Sequence, residues 1–317
     1  MGYAEKLIFL VGFPIYVFHL ATAFMITRYS VKCIHSLSKL RHCSKPLKLY
    51  EETQDALLRD VGSNSTFFPR EYSSSSSFKT EDLGKIAEYA TCLALNTHYV
   101  TSKPFPYCTN TAFHLADRFS QNPRFIERFR GYLHSGHKCP VYGTYNPPYD
   151  FIHPVYTNLR LSVKTTKNST RHKISPQVIG QSSIKKFKTD FEIPMIARKS
   201  EVKRYIENRV GLMLKKYYEN TFHCPVLFYH QKLDECKLVE PMYNVEIDWT
   251  SLQYEFSHIK RGSAWKESTS LFILKDGVST KSMGEFQIHN NRDCVKFRFV
   301  LNTVLDAFPA SFYVESW

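Results

Sequence analysis

The sequence predicts a mixed α+β or α/β protein: an amino-terminal transmembrane helix, a small helical unit, and a carboxyl-terminal mixed β-sheet flanked by helices in the order αβββαβ. Three observations predict it. Residues 7–27 form an uncharged apolar stretch with only Pro14 and His19 as discordant members. Apolar residues then recur at helical spacing between 80 and 135. From 199 onward one helical pattern gives way to short runs of β-branched and aromatic residues, punctuated by Asp276-Gly277.

In chain order, residues 1–30 read as a membrane anchor, since about twenty apolar residues in a helix cross the hydrocarbon core. Only Lys6 precedes the stretch, and Glu5 balances it, whereas Arg28, Lys32, Lys39, Arg41, Lys45 and Lys48 follow it. That asymmetry places the anchor as single-pass with the carboxyl-terminal bulk in the cytosol. Residues 31–79 are a basic juxtamembrane segment ending in a linker that carries serines 73–77. Residues 80–135 form the helical unit: Leu83, Ile86, Ala87, Ala90 and Leu93 make one stripe, and a second helical stretch from 111 breaks at Asn122-Pro123. Residues 136–198 read as a basic, loop-rich region. His134, His137 and Cys139 stand at its start, without the second ligand cluster of a structural zinc site, and read as a surface loop.

Residues 199–317 form the α/β unit. Val202, Ile206, Val210, Met213 and Tyr217 fall on one helical stripe. Runs at 225–229, 243–247, 270–274 and 284–289 read as strands, 292–308 as a helix and 311–314 as a last strand. Asp276-Gly277 is the hairpin turn.

The formal net charge is +13 at pH 7, and Lys and Arg strongly outnumber acids between 160 and 216. Such density suits a polyanion, either nucleic acid or an anionic lipid surface. The eight cysteines contain no CxxC pair and read as free thiols. Glycine is scarce, and no P-loop, dinucleotide fingerprint or nucleophile triad is present, which excludes the commonest nucleotide-binding classes.

The stretch Gly284-Glu285-Phe286-Gln287-Ile288 on the second strand of a hairpin, preceded by a helix and followed by a basic helix and a final strand, resembles the restriction-endonuclease-like PD-(D/E)xK nucleases over the last third of the chain. That family carries a carboxylate near the start of one strand and (Asp/Glu)-x-Lys on the next, with Gln replacing Lys in some members. The resemblance implies a nucleic-acid phosphodiesterase, with DNA rather than RNA as partner, using Mg²⁺ or Mn²⁺ on hard oxygen ligands. Strand alternation sets Glu285 and Gln287 on one face. A turn at 276–278 carries Asp276 roughly 25–30 Å away from Glu285 and sets residues 268–270 opposite it. The expected site is therefore Glu267, Glu285 and Gln287, with Lys266 as charge stabiliser and Glu267 and Glu285 as metal ligands. Asp248 is the fallback acid, and Glu201 or Glu207 an outer contact. His289, Arg292, Lys296 and Arg298 would hold nucleic-acid phosphates. Glu267 replaces the family's Asp, and its preceding Pro is missing.

Two other functions use the same residues. Glu285-Phe286-Gln287-Ile288 after a Ser-Leu strand also resembles the guanosine tetraphosphate synthetases, although the Gly, Tyr and His of their first strand are absent. A non-enzymatic, membrane-tethered adaptor would bind anionic lipid, nucleic acid or protein. It would leave Glu267, Glu285 and Gln287 splayed or ion-paired.

Overall fold

Two β-sheets and two helical layers organise the chain in the computed structural model, which describes residues 80–100, 109–167, 171–176 and 183–317. The segment 7–27 lies outside the described residues. Among the described residues no helix is long and apolar enough to cross a membrane.

Helices α1 (Thr80–Ala94), α2 (Thr109–Ser120) and α3 (Pro123–Phe129) come first. Asn122 caps α3 by accepting the Phe125 N–H at 3.0 Å, with Pro123 as first helical residue, so the expected break is a helix start. Strands β1 (Leu133–His134), β2 (Phe151–Ile152) and β3 (Arg160–Thr166) follow as an antiparallel meander. A short β4 (Lys173–Ile174) leads to helices α4 (Ile184–Asp190), α5 (Lys199–Asn208) and α6 (Val210–Thr221). The chain returns through β5 (Val226–His230), parallel to β3, and β6 (Glu235–Pro241), antiparallel to β5. Then come β7 (Gln253–Phe256), α7 (Ser257–Lys260), β8 (Ser268–Lys275), β9 (Val278–Ile288), β10 (Val295–Val300), α8 (Leu301–Ala307) and β11 (Phe312–Ser316).

One sheet has the order β1-β2-β3-β5-β6-β11 and the other β4-β10-β9-β8-β7. All five residues of β5 are buried, because both faces of the first sheet are covered. Leu227 and Tyr229 face a core shared with Leu83, Ala87 and Ala90 of α1 and Phe125 of α3. Val226 and Phe228 face the other core, with Val202, Ile206, Met213 and Tyr217 and the inner face of the second sheet. There Tyr217 stacks on Phe297 at 4.6 Å, and Phe286 lies 4.6 Å from the same ring. Each such pair adds ~0.5–1.5 kcal/mol beyond the area it buries.

Several elements differ from expectation. Residues 199–317 run α5, α6, β5, β6, β7, α7, β8, β9, β10, α8 and β11 rather than αβββαβ. Residues 136–198 contain β2, β3, β4 and α4. The expected helix at 292–308 is strand β10 followed by the short α8: Val295, Phe297 and Phe299 are buried while Lys296 and Arg298 alternate with them, a period of two. Residues 243–247 form no strand, and Tyr243 is exposed. The long helix breaks at Arg209 into α5 and α6. Gly211 then meets the Trp249 carbonyl so closely that a Cβ would lie 2.6 Å from its oxygen.

Candidate functional site

The β8–β9 hairpin turns at Asp276 and Gly277, both at positive φ, as a two-residue turn of this type requires. Its register sets Ser270 opposite Glu285 and Ser268 opposite Gln287. Glu285 and Gln287 share the outer face of the second sheet with Arg298 and Lys296, their partners on β10. Glu285 pairs with Lys173 of β4 at 2.7 Å and accepts from Gln287 Nε2 at 3.1 Å. Burial pushes its carboxyl up, but Lys173, Gln287 and Arg298 outweigh that and hold it below the ordinary value.

Glu267 is engaged elsewhere. It accepts the Asn290 N–H at 3.0 Å and pairs with His289 Nδ1 at 3.2 Å, and these bonds lower its pKa, the Asn290 N–H most. The same loops are tied to α5: Lys199 donates to the carbonyls of His289, Asn290 and Arg292, and Lys203 to those of Trp265 and Lys266. The Lys266 side chain is exposed, as is Arg292. Glu267 and Glu285 thus belong to two separate networks. Asp248 caps its own turn by accepting from Thr250 and Ser251, Glu201 caps α5, and Glu207 pairs with His258 at 3.0 Å.

A different group of residues converges at the first sheet. The β2–β3 register pairs Phe151 with Leu161, so Asp150, just before β2, lies across from Ser162. Its Oδ2 accepts from the Ser162 hydroxyl at 2.9 Å and the Val163 N–H at 2.6 Å, and lies 3.5 Å from Lys164 Nζ. Alternation explains the pattern: Leu161 and Val163 enter the core, while Ser162 and Lys164 share the opposite face. Glu88 of α1, next to the buried Ala87, lies near enough for Asp150 and Lys164 to bear on its titration. Its Oε2 lies 3.4 Å from Nε2 of His134 on β1. His134, expected on a surface loop, is only 2% exposed. Arg160, His223 and Cys224 flank the group closely enough for Asp150 and Lys164 to bear on the titration of His223 and Cys224.

Burial raises the Glu88 pKa most, Asp150 raises it further, and the His134 bond and Lys164 only partly oppose them. A carboxyl raised in this way contributes stability below the ordinary carboxylate range, and loses it as pH rises through its folded value. Glu88→Gln is therefore expected to raise the melting temperature at neutral pH, with the gain vanishing in acid. Thermal melts from pH 3.5 to 8 check it.

Mg²⁺ takes one or two protein carboxylates and fills its remaining positions with water and phosphate oxygens. Glu88 and Asp150 are the carboxylates of this group that could hold one, and Asp150 raises the Glu88 pKa. Among the described residues no three His, Cys, Asp or Glu side chains gather into a ready-made metal cage.

The chain is similar to a restriction enzyme. It is 32% identical over 237 residues to the type II restriction enzyme CviAII of Paramecium bursaria Chlorella virus 1, a match covering 74% of this chain and 62% of that enzyme. No family model matches the chain, and no solved structure matches it.

Proposed function

We propose that the chain is a metal-dependent endonuclease acting on DNA, with its centre at Asp150, Lys164 and Glu88. The observation that carries this reading is Asp150, placed just before β2, meeting Ser162 and Lys164 on β3. A carboxylate before one strand beside a lysine on the next supports this reading. Ser162 stands where the family has Asp or Glu. Its hydroxyl holds Asp150 in place, and Glu88 from α1 supplies the second carboxylate. The similarity to a type II restriction enzyme supports the same reading.

Asp150 and Glu88 would hold Mg²⁺ or Mn²⁺, which when bound activates water and neutralises charge developing on the phosphate. Lys164 places an ammonium beside Asp150 and contributes positive charge where the phosphate oxygens would lie. Lys296 and Arg298 form a basic row on the outer face of the second sheet, suited to backbone phosphates.

The test is cleavage of labelled duplex DNA and RNA by the full chain with Mg²⁺ or Mn²⁺. Glu285→Ala separates the two placements of the site. It is expected to keep the cleavage rate within about threefold of wild type, since Glu285 is committed to Lys173 and Gln287. Loss of cutting in this variant, with Asp150→Ala still active, would return the site to the β8–β9 hairpin. The reading of residues 7–27 as an anchor rests on their apolar length and flanking charge alone, and is independent of this chemistry.

A further inference from the structure

The residue that fixes Glu88 is not itself part of the carboxylate–lysine group. We propose that His134 is a positioning residue, which holds the Glu88 carboxylate in a single orientation for a divalent cation. The proposal rests on the nuclease reading above.

Both ring nitrogens of His134 are engaged. Nδ1 accepts the Val100 N–H at 3.0 Å, which leaves the proton of the neutral ring on Nε2. Nε2 therefore donates toward Glu88 Oε2, at 3.4 Å. This contact is at the long end for a hydrogen bond, and such bonds tighten when the ligand binds. Among the described residues no hydrogen bond engages Glu88 Oε1, so one carboxylate oxygen is held and the other remains for the cation.

The ring itself cannot swing. Tyr99 stacks on it with centroids 4.5 Å apart and planes 20° apart, and Phe151 packs against it at 5.2 Å. Tyr99 in turn meets Tyr89 of α1 edge-on at 5.4 Å, so the segment carrying Val100 is tied to the helix that carries Glu88. Gly136 closes the arrangement. Its φ is +55°, and a Cβ there would lie 2.8 Å from the Val100 carbonyl oxygen and 3.0 Å from the Val100 side chain. Only glycine lets the chain leaving β1 press so closely on Val100. Helix, segment and strand thus lock one imidazole between a backbone N–H and a carboxylate, the arrangement by which an outer partner orients a metal-binding oxygen.

The experiment uses the full chain stripped of metal and titrated calorimetrically with Mn²⁺, alongside the Mg²⁺ dependence of DNA cleavage. The variants are His134→Ala, His134→Gln and Asp150→Ala, each checked for folding by thermal melting. His134→Ala is expected to weaken Mn²⁺ binding ~10–100-fold and to raise the Mg²⁺ concentration for half-maximal cleavage by a similar factor. At saturating Mg²⁺ its rate should return to within a few-fold of wild type. His134→Gln keeps one donor and one acceptor, and should recover most of the affinity. Metal binding and cutting by Asp150→Ala at wild-type levels would overturn the nuclease site itself. If Asp150→Ala loses both while His134→Ala behaves as wild type, His134 has no positioning role. Equal losses in the Ala and Gln variants, together with lowered melting temperatures, would make His134 structural only and equally overturn the proposal.

Discussion

Asp150→Ala is expected to lower DNA cleavage by at least about a thousandfold, roughly 4 kcal/mol of transition-state stabilisation, while the protein stays folded. Asp150 Oδ2 alone gathers the Ser162 hydroxyl, the Val163 N–H and Lys164 within reach. Removing it would deprive a bound cation of a ligand and leave Lys164 with one counter-charge fewer. Three donors then lose an acceptor, so some stability is lost as well. Asp150→Asn separates the effects, since its amide oxygen still accepts the Ser162 and Val163 bonds but carries no charge. Single-turnover cleavage at saturating Mg²⁺ is the measurement. A near-normal rate in the Asn variant would show that the charge at 150 does not act in the reaction, and would sink the proposed centre.

The uneven legibility of this site has physical causes. The hairpin around Asp276-Gly277 was readable because its turn residues fix the register, and Ser270 does face Glu285. The clearest turn marks the hairpin strand, whereas Asp150 ends a Pro-rich stretch before a two-residue strand. A strand that short shows no alternation. Ser162 concealed the rest, since without an acid two residues before Lys164 the segment reads only as part of a basic region. Glu88 is tied to β1 and β3 purely by tertiary packing, which no local pattern reveals. The β10 error is of another kind. Val295 and Phe299 are four apart and fit a helix, but Phe297 between them fits only a strand, and period two prevails.

Lys164→Ala is expected to destabilise the metal-free protein by about 3 kcal/mol, the low end for breaking a buried ion pair. Both partners are well covered, with side chains 15% and 10% exposed, and their charged atoms lie 3.5 Å apart. The cost stays at the low end because Asp150 keeps its bonds to Ser162 and Val163. In the variant Glu88 loses a nearby positive charge, and its pKa, which Lys164 now helps to lower, should rise further. A divalent cation replaces the missing charge. Mg²⁺ should therefore raise the melting temperature of Lys164→Ala by more than that of the wild type, since whatever binds only the folded state stabilises it by mass action. Cleavage should nonetheless fall ~10²–10³-fold, because the cation restores charge to the carboxylates but not the ammonium beside the phosphate. Melting curves across a Mg²⁺ series decide the matter. Equal Mg²⁺ shifts in the two proteins would mean that Lys164 and the cation do not share the Asp150 carboxylate, and that the lysine serves the fold rather than the reaction.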